Sequence, residues 1–316
     1  MNNAVTQRWA WLKRKSFNWV LRATVKPLWS RRDLTPHELQ RLLDQACNWL
    51  PIAGRAPGRP ERVNAHLLAE WFELARVAPR VLLYLHGGAW ITHAPALYRS
   101  LARRLAQTLQ ARVLMPEYRL APAWRFPAGS DDALAAYKHL LDSGVPPGQI
   151  VIGGDSAGGN LALVTLIRAR DEGLPLPACG FVFSPVTDLT FSSASSHRNQ
   201  LSDVMFTLPA GTFVGTAYLD DMGQLQHPWV SPLYADLHGL PPLLLQASDS
   251  EMLADDARRF AECVRAAGGR AEFSSWHDLP HVFQMAGFLT EAAAALQEVH
   301  RFVHRVFDNQ PRETET

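Results

Sequence analysis

Short apolar runs alternate with longer stretches of helical composition over most of this 316-residue chain. The apolar runs are rich in β-branched and aromatic residues and have the length of buried strands. The pattern predicts strands at 66–75, 80–86, 111–116, 149–153, 179–184, 242–246 and 271–276, and helices at 97–109, 130–141, 160–170, 252–267 and 288–306. Such alternation is typical of an α/β fold with a mostly parallel sheet covered by helices on both faces, whose ligands bind at the carboxyl ends of the strands.

Two regions depart from this alternation. Ser, Thr, Asn and aromatic residues dominate from about 186 to 240, and an insertion of that length in a compact domain usually has a function. We predict that residues 189–227 form a cap insertion and that residues 1–55 form an N-terminal helical cap segment. The core is then expected at 56–188 and 228–308, with a disordered tail at 309–316.

Eight basic residues, four tryptophans and no acidic residue occupy positions 1–32. In a predicted helix at 7–25, Arg8, Lys15 and Arg22 recur every seven residues on one stripe, and the opposite side is apolar, with Trp9, Leu12, Phe17, Val20 and Leu21. Three interpretations compete: a cap over an active site, which we favour, a membrane-surface helix, or a cleaved targeting segment. Basic residues interrupt the apolar run that a secretory signal needs, which argues against export.

A second helix is expected to begin at Pro36. Thr35 is suited to be its N-cap, Pro36 its first residue and Glu38 the acidic partner of a capping box. The helix is predicted to run to about residue 50. The segment 51–62, rich in Pro, Gly and Arg, is interpreted as a connector into the main domain.

Composition narrows the function classes. The net charge of +1 gives no general attraction to nucleic acid, and a 47% hydrophobic, 19% charged chain is typical of a soluble globular protein. Cys47, Cys179 and Cys263 are far apart and lack metal-ligand spacing, so we expect small buried residues in a reducing compartment. No apolar run reaches 18 residues, so we expect no transmembrane span and a cytoplasmic location.

Ser156 stands at the centre of the segment 154–158, Gly-Asp-Ser-Ala-Gly. An apolar, β-branched run precedes this segment and a helical stretch follows it, which places the serine on a tight strand-to-helix turn. The flanking glycines keep Cβ atoms out of the sharp bend. The pattern predicts an exposed, nucleophilic hydroxyl beside the N–H groups of a helix N-terminus.

A serine nucleophile needs a base and an acid that orients the base. His281 follows the last predicted strand and can reach the carboxyl edge of the sheet, which makes it the predicted base, with His277 as its rival. Two carboxylates, Asp249 and Glu251, follow the strand at 242–246. Either one is a candidate for the acid, and either one also suits the N-terminus of the next helix.

Donors for an oxyanion are predicted directly after the strand at 80–86. Gly87 and Gly88 lack side chains that would obstruct their N–H groups. With the N–H of Ala157, they are the expected oxyanion hole.

Taken together, five motifs resemble the bacterial hormone-sensitive lipase family of α/β-hydrolase esterases (family IV esterases). They lie at 86–90 (HGGAW), 117–127 (EYRLAP with FP), 154–160 (GDSAGGN), 231–242 (SPLY with LPP) and 280–283 (PHVF). The resemblance covers about residues 80–306. It implies a Ser/acid/His hydrolase, catalytic Ser156 and His281, and a cap in two parts. It also favours Glu251 over Asp249, because Glu251 stands four residues before Asp255-Asp256 and 30 before His281.

One position departs from the pattern of that family. The family usually has a third glycine where this chain has Ala89, and we expect the added methyl and Trp90 to narrow the pocket on that side. Arg119, in the second motif, is interpreted as a structural ion-pair residue.

These features predict a serine carboxylesterase that hydrolyses short- to medium-chain acyl or aromatic esters through an acyl-enzyme, without a metal or an organic cofactor. Trp90, Phe206 and Phe213 are the candidate substrate-pocket residues. Acyl transfer or amide hydrolysis by the same triad, and ligand binding without catalysis, stay as alternatives. The expected partner is a small-molecule ester and not nucleic acid; weak membrane-surface contact of the basic Trp-rich helix and a homodimer also stay open.

Overall fold

A strand buried along its whole length, β5 (Ile150–Asp155), lies in the interior of the sheet. The computed structural model of the protein describes residues 3–31, 34–49, 56–73 and 78–309. The strands are β1 (Arg59–Arg62), β2 (Leu68–Phe72), β3 (Arg80–Leu85), β4 (Ala111–Pro116), β5, β6 (Cys179–Phe183), β7 (Leu243–Ser248) and β8 (Ala271–Trp276), in the spatial order β1-β2-β4-β3-β5-β6-β7-β8. All pairs from β4 to β8 are parallel, so their carboxyl ends share one edge.

The two strands at the other side of the sheet run antiparallel to their neighbours. The last third of the connector predicted at 51–62 needs correction, because residues 59–62 form the edge strand β1; residues 51–55 lie outside the described part of the chain. β1 reads Arg-Pro-Glu-Arg and is mostly exposed. Charged residues and a proline suit a strand at a sheet edge, where an apolar strand would invite further pairing, and this polar composition concealed β1 from a search for apolar runs.

Helices cover both faces of the sheet. They are α1 (Asn3–Ser30), α2 (Pro36–Trp49), α3 (Pro95–Leu109), α4 (Ala128–Asp142), α5 (Ser156–Asp171), α6 (Ala194–Arg198), α7 (Leu208–Tyr218), α8 (Ala254–Ala266) and α9 (Thr290–Asp308). One face packs against α4, α5 and α8, and the other packs against α3 and α9. The prediction of a mostly parallel α/β sheet between two helical layers is confirmed.

The N-terminal helices lie against this core. The capping box of α2 is present, since the Thr35 N–H donates to Glu38 Oε2 at 2.8 Å and the Glu38 N–H donates to Thr35 Oγ1 at 3.3 Å. Helix α1 is longer than the predicted 7–25, and Trp29 near its end is buried in the main core. Of the predicted apolar side of α1, Phe17 packs inward, but Trp9, Leu12 and Val20 are exposed.

The predicted insertion holds α6, α7 and a short 3-10 helix, Met222–Gln226. None of the helices in the described ranges combines the length and the apolar character needed to cross a membrane. Cys179 is buried, whereas Cys263 is exposed on α8, so the prediction of a buried residue is wrong for Cys263. The side chain of Cys47 and the tail predicted at 309–316, apart from residue 309, lie outside what the structure describes.

Candidate active site

Ser156 occupies a sharp turn between β5 and α5. Its φ angle is +53°, in the left-handed region that non-glycine residues rarely adopt. The turn needs both flanking glycines, because a Cβ at Gly154 would lie 2.3 Å from the Gly158 carbonyl oxygen and one at Gly158 would lie 2.1 Å from the Leu85 carbonyl oxygen. The chain therefore holds Ser156 in a strained conformation at the carboxyl edge of the sheet.

His281 follows β8 and lies at the same edge. Its Nδ1 is 2.5 Å from Glu251 Oε2, and both side chains are almost completely buried. Its Nε2 is also buried and has no hydrogen-bond partner among the described residues. This nitrogen is thus free to accept a proton.

The surroundings of His281 favour its charged form. Burial is the largest single influence on the pKa of His281 and lowers it. The hydrogen bond and the charge of Glu251, with the charges of Asp203 and Asp155, together outweigh burial and raise the pKa above its ordinary value of 6.5. An imidazolium formed here would be stabilised by Glu251.

Glu251 is held in place through its second oxygen. Oε1 accepts hydrogen bonds from Ser184 Oγ at 2.8 Å and from the Ser248 N–H at 2.7 Å. Asn199, from the insertion, donates to the main-chain carbonyl of Glu251 at 2.8 Å. The carboxylate therefore has one oxygen engaged by the end of β7 and the residue after β6, and the other directed at the imidazole.

The two rival residues face solvent and pair with each other. His277 Nδ1 lies 2.8 Å from Asp249 Oδ2, and the His277 side chain is 82% exposed. Within the described residues, neither side chain forms a hydrogen bond or an ion pair with His281 or Glu251, so the two form a surface pair beside the site. The geometry favours Glu251 and His281 over these alternatives.

The structure of the loop after β3 corrects one of the N–H groups predicted to form the oxyanion hole. The Gly87 N–H donates to Asp155 Oδ1 at 3.1 Å, so it is not available to an oxyanion and its assignment as a donor is wrong. Gly88 has a φ of +121° and Ala89 a φ of +56°, and neither N–H donates within the described residues. Gly88 and Ala89, with Ala157 in the first turn of α5, are the N–H groups left for this role.

Asp155 explains why the loop takes this shape, and sequence reasoning missed it. Its carboxylate accepts from Tyr84 Oη and Tyr98 Oη, each at 2.9 Å, besides the Gly87 N–H. Burial raises the pKa of Asp155 to about 6, although these hydrogen bonds lower it. A carboxylate at the end of an otherwise apolar strand was the signal that could have identified it.

An apolar cavity of about 50 Å³ lies beside Ser156. Ala89 and Trp90 line one side, and α7 lines another through Ala210, Gly211 and Val214. Phe206 also lines the cavity, and its ring meets the His281 ring edge-on at 4.9 Å between centroids. The structure thus places Trp90 and Phe206 at the cavity.

Phe213 is not among the residues that line the cavity, which corrects its predicted role. The lining positions 207, 210, 211 and 214 share one face of the α7 region, and Phe213 lies on another face, where it is half-buried and packs against the main core. A second cavity, of about 240 Å³ beside β1 and β2, contains none of the predicted site residues. Within the described ranges, no group of three or more His, Cys, Asp or Glu side chains could hold a metal ion.

Comparison with known proteins assigns this architecture to a family. The sequence profile described as alpha/beta hydrolase fold matches residues 82–285. The crystal structure of an esterase from the bacterial hormone-sensitive lipase family superimposes with a TM-score of 0.83 at 34% identity, covering 92% of this chain and 98% of that one. The chain belongs to the bacterial hormone-sensitive lipase family.

Relatives of this chain are named as esterases or acetyl-hydrolases. An acetyl-hydrolase from Streptomyces hygroscopicus is 36% identical over 264 residues, which cover 84% of this chain and 88% of that protein. An esterase from Acinetobacter venetianus is 34% identical over 284 residues, which cover 90% and 93%. The predictions of the fold, of the hormone-sensitive lipase family and of a carboxylic ester hydrolase are confirmed.

The structure also bears on two other motif residues, Ala89 and Arg119. Ala89 adopts a positive φ and lines the cavity, so its methyl group narrows the pocket at some conformational cost. Arg119 donates to both carboxylate oxygens of Asp132, at 2.9 and 2.8 Å, in agreement with the interpretation of Arg119 as a structural ion-pair residue.

Proposed function

We propose that this chain is a serine carboxylesterase that hydrolyses short-chain acyl esters through Ser156, His281 and Glu251. The observation that carries the proposal is the buried Glu251–His281 pair, whose unpartnered Nε2 lies at the strand edge that also holds Ser156. Phe206 connects the cavity beside Ser156 with the Glu251–His281 pair, because it lines that cavity and contacts the His281 ring.

The reaction begins when Ser156 Oγ attacks the ester carbonyl and His281 Nε2 takes the hydroxyl proton. The carbonyl oxygen becomes an oxyanion that accepts from the N–H groups of Gly88, Ala89 and Ala157. His281 then gives its proton to the leaving alkoxide, and the acyl group stays on Ser156. A water molecule, deprotonated by His281, attacks this acyl-enzyme; the bond to Ser156 Oγ then breaks, His281 returns the proton to Oγ, and the acid is released.

Asp155 has a positioning role in this scheme. Its hydrogen bond from Gly87 ties the loop after β3 to the turn that carries Ser156. Tyr98, from α3, donates to the same carboxylate. This arrangement keeps the donors and the nucleophile in register before substrate binds, which is the preorganisation that oxyanion stabilisation requires.

The acyl group is expected to be short. The cavity measures about 50 Å³, and apolar side chains from the insertion line much of it. EstE5, whose crystals were soaked with p-nitrophenyl butyrate, has a TM-score of 0.85 and 30% identity with this chain, covering 93% of it and 98% of EstE5. The acetyl-hydrolase from Streptomyces hygroscopicus supports the same size range.

Residues 189–227 and the N-terminal helices act as a cap in this proposal. Thr207 and α7 line the cavity, and Trp29 of α1 meets Phe206 edge-on at 5.1 Å. Lys26 donates to the Asp203 carbonyl at 2.5 Å, and Asp203 Oδ2 accepts from the Met252 N–H at 2.8 Å, next to Glu251. The cap therefore also braces the loop that carries the acid.

The test uses the purified full-length chain with p-nitrophenyl acetate, butyrate and octanoate, and a fluorophosphonate probe. We expect hydrolysis of acetate and butyrate esters, labelling of the wild type, and loss of both with Ser156→Ala. His277→Ala, which changes an exposed histidine beside the site, serves as the matched control for His281→Ala. Full activity of Ser156→Ala or His281→Ala, or an unlabelled wild type, would overturn the assignment. Acyl transfer to an added alcohol in place of hydrolysis would also contradict it.

A further inference from the structure

Helix α1 exposes apolar side chains on the face that points away from the protein. Among the described residues, five of the eleven exposed large hydrophobic side chains lie on α1: Trp9, Trp11, Leu12, Trp19 and Val20. Trp19 is 71% exposed. A folded protein rarely gathers so much exposed apolar surface on one helix unless the surface binds something.

The exposure is a consequence of how the helix is fixed. Its inner face packs on the core through Phe17, Val25, Leu28 and Trp29. Ion pairs also hold it, since Arg14 and Lys15 pair with Asp278 at 3.5 and 2.7 Å and Arg14 pairs with Glu291 at 3.3 Å. Trp9, Leu12, Trp19 and Val20 recur at helical spacing on the opposite side, so they have no room to turn inward.

Two further apolar side chains lie beside this face. Leu201 is 84% exposed, in a loop that Arg22 and Lys26 bind through the Ser202 and Gln200 carbonyls at 3.2 and 2.5 Å. Phe288 is also exposed, and its ring meets that of Phe17 edge-on at 5.0 Å. We use the name outer patch for Trp9, Leu12, Trp19, Val20, Leu201 and Phe288.

The charges around the outer patch indicate what binds there. Arg8 and Lys13 are exposed, form no ion pair within the described residues, and flank the apolar stripe, and positions 1–32 contain no acidic residue. The carboxylates that face α1, Asp278 and Glu291, are already paired with Arg14 and Lys15. A symmetric contact with a second copy would bring the same cations together, which disfavours a homodimer on this face.

We infer that the outer patch docks this protein on the surface of an anionic lipid bilayer. Tryptophan is the residue that best suits the boundary between headgroups and acyl chains, and flanking Arg and Lys side chains attract anionic headgroups. The helix lies flat in that boundary, with Trp9 and Trp19 inserted and the rest of the molecule in water. Because Trp29 of the same helix contacts Phe206 at the cavity, docking places the cap next to esters dissolved in the bilayer.

Vesicle flotation tests the inference with the full-length chain. We expect flotation with phosphatidylcholine vesicles that contain phosphatidylglycerol, little flotation with phosphatidylcholine alone, and release by high salt. Arg8→Gln with Lys13→Gln is expected to lower the partition coefficient about 25-fold, since each cation near an anionic surface contributes roughly a factor of five. Equal binding to both kinds of vesicle, or binding to neither, would overturn the inference.

A pair of matched double variants isolates the apolar contribution. Trp9→Ser with Trp19→Ser is expected to lower binding about tenfold or more, whereas Leu68→Ser with Trp124→Ser, which also changes two exposed apolar residues, leaves it unchanged. Hydrolysis of soluble p-nitrophenyl acetate and thermal unfolding show that each variant is folded, and they report on the proposed catalysis independently of lipid.

Two measurements on the wild type complete the test. Lipids with brominated acyl chains are expected to quench its tryptophan fluorescence, and Trp19→Phe is expected to reduce the quenched fraction. Sedimentation of the wild type without lipid is expected to show either a monomer or an oligomer that persists in the double variant Trp9→Ser with Trp19→Ser. A dimer that the double variant dissociates would assign the outer patch to a second copy and would refute lipid docking.

Discussion

Glu251 Oε2 lies 2.5 Å from His281 Nδ1, while the other oxygen of Glu251 accepts from Ser184 and from the Ser248 N–H. The hydrogen bonds from Ser184 and Ser248 fix the orientation of the Glu251 carboxylate, and the carboxylate in turn fixes the orientation of the His281 ring. A proton held on Nδ1 leaves the lone pair on Nε2, which is the tautomer that a general base for Ser156 requires. The pair therefore sets both the orientation and the basicity of His281.

The first prediction concerns Glu251→Gln. We expect kcat/KM to fall by about 10³- to 10⁴-fold, because the amide stabilises neither the imidazolium nor the required tautomer. In the wild type, His281 must be unprotonated to act, and its pKa is raised, so activity is lost on the acid side at a pH above 6.5. Without the charge of Glu251, burial dominates the pKa of His281 and lowers it. The loss of activity on the acid side therefore moves to lower pH. A pH profile of the residual activity measures the shift.

Asp249→Asn is the matched control for that variant, because Asp249 is the neighbouring carboxylate and pairs with the exposed His277. We expect its profile and rate to match the wild type. A loss of activity in Asp249→Asn comparable with that in Glu251→Gln would reassign the acid.

A second prediction follows from the φ of +53° at Ser156. Ser156→Gly is expected to abolish hydrolysis and to be more stable than Ser156→Ala by about 1 kcal/mol in the free energy of unfolding. Alanine keeps a Cβ in the strained turn, whereas glycine relieves the strain and offsets its own entropic cost. Denaturant unfolding compares the two inactive variants. Equal stabilities would show that the turn stores no strain.

A third prediction tests the acyl pocket through Val214, which lines the cavity from α7. Val214→Ala removes two methyl groups and enlarges the cavity, so the ratio of kcat/KM for p-nitrophenyl hexanoate to that for acetate is expected to rise about fivefold. Phe213→Ala changes the adjacent residue, which does not line the cavity, and is expected to leave the ratio unchanged. A fall in the ratio for Val214→Ala, or a larger rise for Phe213→Ala, would place the acyl group elsewhere.

A fourth prediction concerns stability and pH. Burial raises the pKa of Asp256 to about 7 from an ordinary value of 3.8, although the Thr187 and Asp188 N–H groups donate to its Oδ2. The fold therefore favours the protonated acid. Its stabilisation is fully present below about pH 3.8, and it is lost as the pH rises through about 7.

Chemical unfolding at pH 5 and pH 8 compares the wild type with Asp256→Asn. Between these values we expect the wild type to lose a few kcal/mol relative to the variant, which cannot ionise. Asp249→Asn, at an exposed site, is expected to show no such difference. A gap between Asp256→Asn and the wild type that stays constant with pH would contradict the assignment.

The sequence by itself determined the features that local chemistry controls. Apolar, β-branched runs located β3 to β8, a capping box located the start of α2, and a glycine-flanked serine located the turn after β5. It also placed His281 and Glu251 after strands, which brings them to one edge of a parallel sheet. These inferences need only the periodicity of each segment and the order of the strands.

Tertiary structure alone decided which groups point into the site. Gly87 and Gly88 look equivalent in sequence, but the distant Asp155 occupies the Gly87 N–H. Phe213 turns away from the cavity because the lining face of its helix falls on neighbouring positions, and Trp9 and Val20 face solvent because Phe17 and Trp29 take the inner face of α1. In each case the outcome depends on how the segment packs against other parts of the fold, and a local pattern contains no information about that packing.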